Sequence, residues 1–322
     1  MDFYLIGTDY RCVDIALREE FYRKRREIFD SWGKIFRETA VLSTCNRLEV
    51  YGLDKKSTEL PQVPAGWYFI HGKVKIFRHA LRLATGLESQ LKGELQILEQ
   101  INSWKSNLQT GLSTIWEKAY FEALDIRNQT GLNRDEYNIA TLLYQDLQKY
   151  SLDHKEPQIL IMGTGKIAGL LAKHKPGNAR LVFAAHKNKN RAEELAVKAK
   201  GQAIDFKDLN YFLGKADFLI SATASPHFIL NKDKVLPIAS QRDKPLYIYD
   251  LAIPRDIEPG VGAIKGVVLK NIEDFSLSFQ ENNNNIQPQL NLAEYLVEER
   301  VKEYEKSIKD REPSESLSYK TS

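Results

Sequence analysis

The 322-residue sequence predicts an α/β multidomain protein with three parts: an N-terminal α+β domain, a doubly wound α/β domain and a C-terminal helix. Two observations carry this prediction. From residue 158 onward, short apolar runs alternate with helical patterns, which is typical of a parallel sheet covered by helices. The preceding residues mix strand-like and helical stretches less regularly, and the length suggests two or three domains. We place the domains at residues 1–150, 151–285 and 286–322.

In the N-terminal domain, the spacing of apolar residues distinguishes strands from helices. Ile15, Leu17 and Phe21, for example, recur with a helical period after a short first strand. The predicted strands cover residues 3–10 and 40–53, and the predicted helices cover 13–29, 74–104 with a break near Gly86 and Gly93, and 112–150 with an interruption from Asn128 to Asn138.

The second domain is predicted from continuous apolar runs, the pattern of strands that are buried on both faces. The first run, Ile-Leu-Ile-Met at 159–162, follows a linker that ends at Lys155-Glu156-Pro157. Further strands are predicted at 181–185, 218–221 and 246–250.

The C-terminal part is predicted to be a helix from about Gln287 to Lys309, preceded by a polar hinge at 282–285. One face of this helix is apolar, as in an amphipathic helix that packs against another surface. The tail from Pro313 to Ser322 is predicted to be disordered. The apolar face consists of Ala293, Val297, Val301, Tyr304 and Ile308.

Composition indicates an ordinary globular protein. Hydrophobic residues make up 43% and charged residues 28% of the chain, and no apolar run approaches the roughly 18–20 residues that span a bilayer. We see no signal peptide and only two cysteines, so we expect no disulfide framework, no metal site and a cytoplasmic location. A net charge of +3 permits a polyanionic partner without requiring one.

Cys45 is the first candidate functional residue, because polar residues surround it in the run Ser-Thr-Cys-Asn-Arg at 43–47. A buried structural cysteine usually has apolar neighbours. The thiolate is the nucleophilic form of cysteine, and a nearby cation such as Arg47 favours it. The alternative interpretation is a structural cysteine.

A glycine-rich loop between a strand and a helix predicts a Rossmann-type dinucleotide-binding domain. The first glycine permits a tight turn, the second lets the backbone approach a pyrophosphate, and the third small residue allows close packing of helix on strand. The alternative is an α/β domain whose loop binds no nucleotide. The loop consists of Gly163, Thr164, Gly165, Lys166, Ile167 and Ala168.

The end of the next strand indicates which dinucleotide binds. An NAD site usually has an acidic residue there for the ribose 2′-hydroxyl, but this chain has His186 and Lys187. The basic pair favours a 2′-phosphate and therefore NADP. The alternative is a solvated basic helix start.

Five blocks in fixed order extend the pattern over residues 3–310. They are 43–47 with Glu49 and Tyr51; His79 with Arg82 and residues 86–89; 93–98 with Gln100; 221–227; and 250–259. Together they resemble the glutamyl-tRNA reductase family, the first enzyme of the C5 route to tetrapyrroles.

The resemblance implies that NADPH reduces glutamyl-tRNA(Glu) to glutamate-1-semialdehyde through a thioester on Cys45. It implies that His79 is the acid/base for the leaving ribose oxygen, that Arg47 binds the substrate carboxylate and that Glu94 binds its ammonium group. A following aminomutase is the partner that the family suggests. The substrate-binding set implied by the resemblance is Thr44, Asn46, Arg47, Ser89, Glu94, Leu95, Gln96 and Gln100.

The chain departs from the family pattern in several places. The block at 7–14 is altered, Leu95 replaces a proline, and the segment 132–138 lacks the usual Gly and Ser residues. The C-terminal dimerisation domain of the family is largely missing, so a homodimer is either lost or rebuilt through the apolar face of the C-terminal helix. Two alternatives stay open: a non-catalytic relative that regulates or binds haem or tRNA, and an NADPH enzyme for a free acyl substrate.

Overall fold

The computed structural model describes residues 2–55, 62–104, 111–133, 138–150 and 156–310. The strands are β1 (Phe3–Asp9), β2 (Phe36–Ser43), β3 (Arg47–Lys55), β4 (Tyr68–His71), β5 (Gln158–Met162), β6 (Arg180–Ala185), β7 (Gln202–Asp205), β8 (Phe218–Ser221), β9 (Leu246–Asp250) and β10 (Val267–Asn271). The α-helices are α1 (Ile15–Gly33), α2 (Lys73–Thr85), α3 (Gln96–Trp104), α4 (Gly111–Thr130), α5 (Ile139–Tyr150), α6 (Lys166–Lys173), α7 (Lys189–Ala199), α8 (Leu209–Lys215), α9 (Lys232–Ala239), α10 (Ser276–Asn285) and α11 (Gln287–Lys309).

The N-terminal domain has an antiparallel sheet in the order β2-β3-β1-β4. The single strand region predicted at 40–53 is two strands, because β2 and β3 pair through a tight connection with Ser43 opposite Leu48. Cys45 therefore lies in the turn between the strands and not within a strand. A turn places its side chain beyond the end of the sheet, where a ligand can approach.

The helices of this domain end where glycine permits it. Gly86 has a φ of 84° and caps α2 with its backbone N–H directed at the carbonyls of Arg82 and Leu83. Non-glycine residues rarely adopt this left-handed conformation, so the break predicted near Gly86 is confirmed. Residues 86–95, which we call the substrate loop, then cross to α3.

The second domain has a parallel sheet in the order β10-β9-β8-β5-β6-β7. Alternate residues of the central strands enter two cores: Ile159 and Ile161 face α6 and α7, whereas Leu160 and Met162 face α8 and α9. The doubly wound architecture is therefore confirmed. The helices α6 and α7 lie on one face of the sheet and α8 and α9 on the other.

Helix α5 packs against the second domain, although the predicted boundary assigns it to the first. Leu143 and Leu147 belong to the same buried cluster as α6, and the hydroxyl of Tyr144 donates to the Leu171 carbonyl at 2.7 Å. We propose on this ground that the second domain begins at α5. Lys155 in the predicted linker lies outside the described residues.

The prediction of a polar hinge at 282–285 is wrong, because these residues form the last turn of α10. Asn283 accepts a hydrogen bond from the Lys92 backbone N–H at 3.0 Å and donates to the Gln90 carbonyl at 3.2 Å. The asparagine thus satisfies backbone groups of the substrate loop, which explains why a polar run here is ordered.

Helix α11 folds back onto the N-terminal domain. Its apolar face packs on α2 and α4, with the rings of Tyr304 and Phe77 4.1 Å apart between centroids. Arg82 and Arg78 of α2 pair with Glu294 and Glu298 of α11. The apolar face that the sequence offered for a dimer is therefore buried against its own chain.

No helix among the described residues is long and apolar enough to cross a membrane. The tail predicted to be disordered, Pro313 to Ser322, lies outside the described residues.

Candidate active site

The turn that carries Cys45 is ordered by the side chain of Thr44. The Thr44 hydroxyl accepts hydrogen bonds from the backbone N–H groups of Asn46 at 3.1 Å and Arg47 at 3.2 Å. The Thr44 N–H donates to the Arg47 carbonyl at 2.9 Å. This arrangement fixes the direction of Cys45, which is half-buried and also contacts the core of the second domain.

A polar cavity of about 610 Å³ opens beside the Cys45 thiol. We call it the thiol pocket. Its walls come from the β2–β3 turn, the substrate loop, α3 and the start of α6, so four separate segments of sequence meet there. Among the residues expected to bind substrate, the structure places Thr44, Asn46, Arg47, Ser89, Glu94, Gln96 and Gln100 in its lining.

One polar donor in the wall of the thiol pocket is buried without a partner. The Arg47 Nε has no hydrogen-bond partner among the described residues, whereas the Ser89 hydroxyl interacts with the Glu94 carboxylate. Buried polar groups are nearly always hydrogen-bonded, so an unpaired donor in the wall of a cavity indicates a site for a polar ligand. Glu94 adds a carboxylate to the same wall.

Burial outweighs the nearby cations at the Cys45 thiol. Burial and the negative charge of Glu94 raise the pKa of Cys45, Arg18 and Arg47 lower it in part, and the resulting pKa is about 11. Arg47 therefore favours the thiolate, as the sequence indicated, but its effect is small. Its guanidinium already pairs with Glu49 at 2.7 Å and donates to the Glu88 carbonyl at 2.6 Å.

His79 belongs to a buried network on the far side of Arg47. Its Nε2 lies 3.0 Å from Glu49 Oε1, and the same carboxylate accepts hydrogen bonds from Tyr51 and, at 2.6 Å, from Tyr68. Burial opposes ionisation, but His79 and Arg47 outweigh it and hold the pKa of Glu49 well below its usual range. His79 does not line the thiol pocket, so direct protonation of a leaving group there is not supported.

Arg127, which the sequence analysis did not single out, holds the substrate loop in place. Its guanidinium is 1% exposed and donates to backbone carbonyls on both sides of the loop. Short bonds reach Thr85 at 2.6 Å, Gly93 at 2.5 Å and Leu132 at 2.9 Å. Burial lowers the pKa of Arg127 to about 10, so the group remains charged at neutral pH. An arginine at the end of an amphipathic helix gives no sequence signal for such a role.

Arg18 is a second residue that sequence reasoning missed. It lines a small cavity behind Cys45 together with Ile253 of the second domain. Its guanidinium donates to the Asn46 side chain at 3.1 Å and pairs with Glu273 at 2.6 Å. Arg18 therefore ties the Cys45 turn to the second domain.

Leu95 is the one residue of the expected substrate-binding set outside the thiol pocket. Its side chain packs against the N-terminal core and lines a neighbouring groove of about 460 Å³. The groove shares lining residues with the thiol pocket, so Leu95 lies beside that pocket and not in its wall.

The glycine-rich loop borders a second cavity of about 670 Å³, the nucleotide pocket. Gly163 has a φ of 110°, and a Cβ built there would lie 2.5 Å from the Ala222 carbonyl oxygen. Gly165 precedes α6, whose first turn has no side-chain cap, so its N–H groups suit an anion. Of the expected cofactor residues, Gly163, Thr164, Gly165, His186 and Lys187 line this pocket.

The other three expected cofactor residues face elsewhere. Ala168 is buried between α6 and the sheet, as the packing role of the third small residue requires, and Ile167 packs against the same core. Lys166 lines the thiol pocket, with its Nζ 3.5 Å from the Gln96 carbonyl. Their side chains therefore do not line the nucleotide pocket, but their backbone N–H groups form the first turn of α6 next to Gly165.

Asp256, inside the block at 250–259, supports the opposite wall of the nucleotide pocket. Its carboxylate accepts from the Thr223 hydroxyl at 2.6 Å and the Thr223 N–H at 3.0 Å, and from the Ser221 hydroxyl. The block thus acts on the nucleotide pocket by fixing residues 221–226.

The two pockets are linked through the neighbouring groove. The groove shares Glu94, Gln96 and Lys166 with the thiol pocket, and it shares Thr164 and Gly165 with the nucleotide pocket. The groove therefore lies between the Cys45 turn and the glycine-rich loop. No cluster of three His, Cys, Asp or Glu residues suited to a metal ion is found within the described ranges.

Fold and site together define an oxidoreductase, in which a Rossmann-type dehydrogenase domain lies against an α+β domain that carries a thiol. The family model of shikimate/quinate 5-dehydrogenase matches residues 145–277, and that of the N-terminal domain of glutamyl-tRNA(Glu) reductase matches residues 6–130. The chain belongs to the glutamyl-tRNA reductase family.

Relatives named glutamyl-tRNA reductase match along most of the chain. The one from Methanothermobacter thermautotrophicus is 31% identical, over 95% of this chain and 78% of that protein. The one from Xylella fastidiosa is 31% identical and the one from Heliobacterium mobile is 27% identical. Each match covers 94% of this chain and 75% of the relative.

Proposed function

We propose that this chain uses NADPH to reduce glutamyl-tRNA(Glu) to glutamate-1-semialdehyde, the first step of tetrapyrrole synthesis, through a thioester on Cys45. The observation that carries the proposal is the groove between the two pockets, which shares lining residues with both the thiol pocket and the nucleotide pocket. A thioester accepts hydride more readily than an ester, so a thiol beside a dinucleotide fold suits reductive acyl transfer.

The thiol pocket suits a glutamyl group, which carries one amine, one carboxylate and the reacting ester. Glu94 supplies a negative charge for the ammonium group. The unpaired Arg47 Nε supplies a donor for the side-chain carboxylate, and the Ser89 hydroxyl lies in the same wall of the pocket. Arg47 then binds the carboxylate through its Nε alone. Its two terminal nitrogens, Nη1 and Nη2, already donate to the Glu49 carboxylate and the Glu88 carbonyl.

Cys45 is mostly protonated at rest, because its pKa is about 11, so the nucleophilic sulfur forms as the proton leaves during attack. The sulfur attacks the ester carbonyl, the bond to the ribose oxygen breaks, and the thiol proton ends on that oxygen. Coupling proton transfer to attack avoids forming a free thiolate next to Glu94. After reduction, the carbon–sulfur bond breaks and the thiol is restored.

His79 acts in this proposal as a positioning residue. Its contact with Glu49 keeps the carboxylate oriented toward Arg47, and Arg47 in turn faces the substrate. Loss of His79 would therefore weaken substrate binding through Arg47.

The residues around the glycine-rich loop fit a dinucleotide, since Gly163 leaves room for close backbone approach and α6 begins without a side-chain cap. His186 and Lys187 would hold the 2′-phosphate of NADPH, and Thr164 and Gly165 its pyrophosphate. When bound, NADPH supplies the hydride that brings the glutamyl group to the aldehyde level.

The test is to mix the protein with NADPH and glutamyl-tRNA(Glu), follow NADPH oxidation and trap the semialdehyde. Cys45→Ser should abolish product formation, whereas Cys12→Ser, which changes the other, exposed cysteine, should leave it intact. Equal rates for wild type and Cys45→Ser would refute the proposal.

A further inference from the structure

The groove next to the thiol pocket is lined by cations from two neighbouring helices. Lys166 and Lys173 belong to α6, and Arg191 and Lys198 belong to α7. We call this the basic groove. Lys173, Arg191 and Lys198 are exposed to solvent, and neither the thiol pocket nor the nucleotide pocket uses them.

The spacing of these cations follows from helix geometry. In each helix the two basic residues are seven positions apart, which places them on one face, two turns or about 10 Å along the axis. Gly169 lies between the two lysines of α6, and a Cβ built there would meet nothing within 4 Å. The floor of the groove is therefore open, with cations along both sides.

Two of the four cations of the groove make ion pairs with exposed carboxylates. Arg191 pairs with Glu194 at 2.6 Å, and Lys166 approaches Glu99 at 3.8 Å, with all four side chains more than half exposed. Ion pairs of this kind contribute little and are readily exchanged. A row of exposed cations in a groove attracts a polyanion and tracks its phosphates.

The basic groove ends at the thiol pocket, because the two share Glu94, Gln96, Glu99 and Lys166. A polyanion lying in the groove would therefore present its terminus to Cys45. We propose that the basic groove binds the sugar–phosphate backbone at the 3′ end of glutamyl-tRNA(Glu) and delivers the ester to the thiol pocket. This inference rests on the proposed function and adds where the nucleic acid lies.

The experiment reverses three charges of the groove together: Lys173→Glu, Arg191→Glu and Lys198→Glu. A matched control reverses Lys232, Lys244 and Lys265 to Glu. These three exposed lysines belong to the opposite side of the parallel sheet, so the control changes net charge equally. Two measurements follow: anisotropy of fluorescent, uncharged tRNA(Glu) at several KCl concentrations, and KM and kcat for glutamyl-tRNA(Glu).

We expect the groove variant to bind tRNA(Glu) about tenfold or more weakly and its salt slope to fall by about 2, since each lost contact to single-stranded RNA removes about 0.7. KM should rise by a similar factor while kcat and the alkylation rate of Cys45 stay near wild type. The control variant should match wild type.

If the two triple variants have equal tRNA affinity, salt slope and KM, the proposed role of the basic groove is refuted while the proposed function stands. Binding lost only in the groove variant, with no reduction by wild type, would support the groove and refute the reductase. A wild-type protein that does not bind tRNA(Glu) would overturn both.

Discussion

Replacing Arg127 by Met tests whether this buried guanidinium holds the substrate loop. The change removes the donors to the carbonyls of Thr85, Gly93 and Leu132, which lie 2.5 to 2.9 Å away, and leaves these oxygens buried. Each buried acceptor without a partner costs about 1–3 kcal/mol. The gross loss is therefore about 3–9 kcal/mol.

An opposing effect reduces that loss. Burial lowers the pKa of Arg127 from 12.5 to about 10, so keeping it charged costs about 3 kcal/mol, at about 1.36 kcal/mol per pKa unit. This cost applies below pH 10, where the group is charged in both the folded and the unfolded state, and methionine removes it. We expect Arg127→Met to lower the free energy of unfolding by about 3 kcal/mol.

Urea unfolding followed by tryptophan fluorescence measures the loss in the relevant domain. The four tryptophans, Trp32, Trp67, Trp104 and Trp116, all belong to the N-terminal domain. With a slope of about 3 kcal/mol per M, the midpoint should fall by about 1 M urea. Arg300→Met is the matched control, because Arg300 makes partly exposed ion pairs worth about 1 kcal/mol or less. Equal midpoints for the two variants would refute the reasoning.

Two further predictions concern the thiol and the nucleotide loop. In a Cys12→Ser background, the rate of Cys45 alkylation by iodoacetamide should rise about tenfold per pH unit up to pH 10, because the pKa of Cys45 is about 11. Glu94→Gln should increase this rate at pH 8, because it removes a negative charge that raises the pKa of Cys45. A rate that levels off near pH 8.5 would contradict this. Gly163→Ala should weaken NADPH binding about tenfold or more in a fluorescence titration, because the new Cβ would collide with the Ala222 carbonyl oxygen. The control Gly177→Ala should bind NADPH like wild type, because a Cβ at Gly177 meets no atom within 4 Å. Equal dissociation constants for both variants would contradict the assigned role of Gly163.

The central strands were predictable from sequence, but the edge strands were not. Residues 159–162 and 218–221 are buried on both faces, so they appear as continuous apolar runs. β7 and β10 lie at the two edges of the parallel sheet, and β4 lies at an edge of the antiparallel sheet. Edge strands are short and partly polar, and no continuous run marks them.

The local parts of the site were predictable, and the long-range parts were not. The thiol pocket is built from short motifs in which neighbours in sequence remain neighbours in space, as with Thr44 and Arg47. The contacts of Arg18 with Glu273, of Arg127 with Gly93 and of Asn283 with Lys92 join residues from 34 to 255 positions apart. Nothing in the segments of these residues indicates the partner. His79 was placed correctly on a helix, but its partner Glu49 follows from how α2 packs on β3.

The most direct test of the account is to capture the acyl group on Cys45. The protein is mixed with radiolabelled glutamyl-tRNA(Glu) without NADPH, quenched in acid and digested, and the labelled peptide is identified. The account predicts a glutamyl adduct on the peptide that contains Cys45, released by hydroxylamine, present in Cys12→Ser and absent from Cys45→Ser. No adduct on the wild-type protein, or an equal adduct on Cys45→Ser, would contradict it.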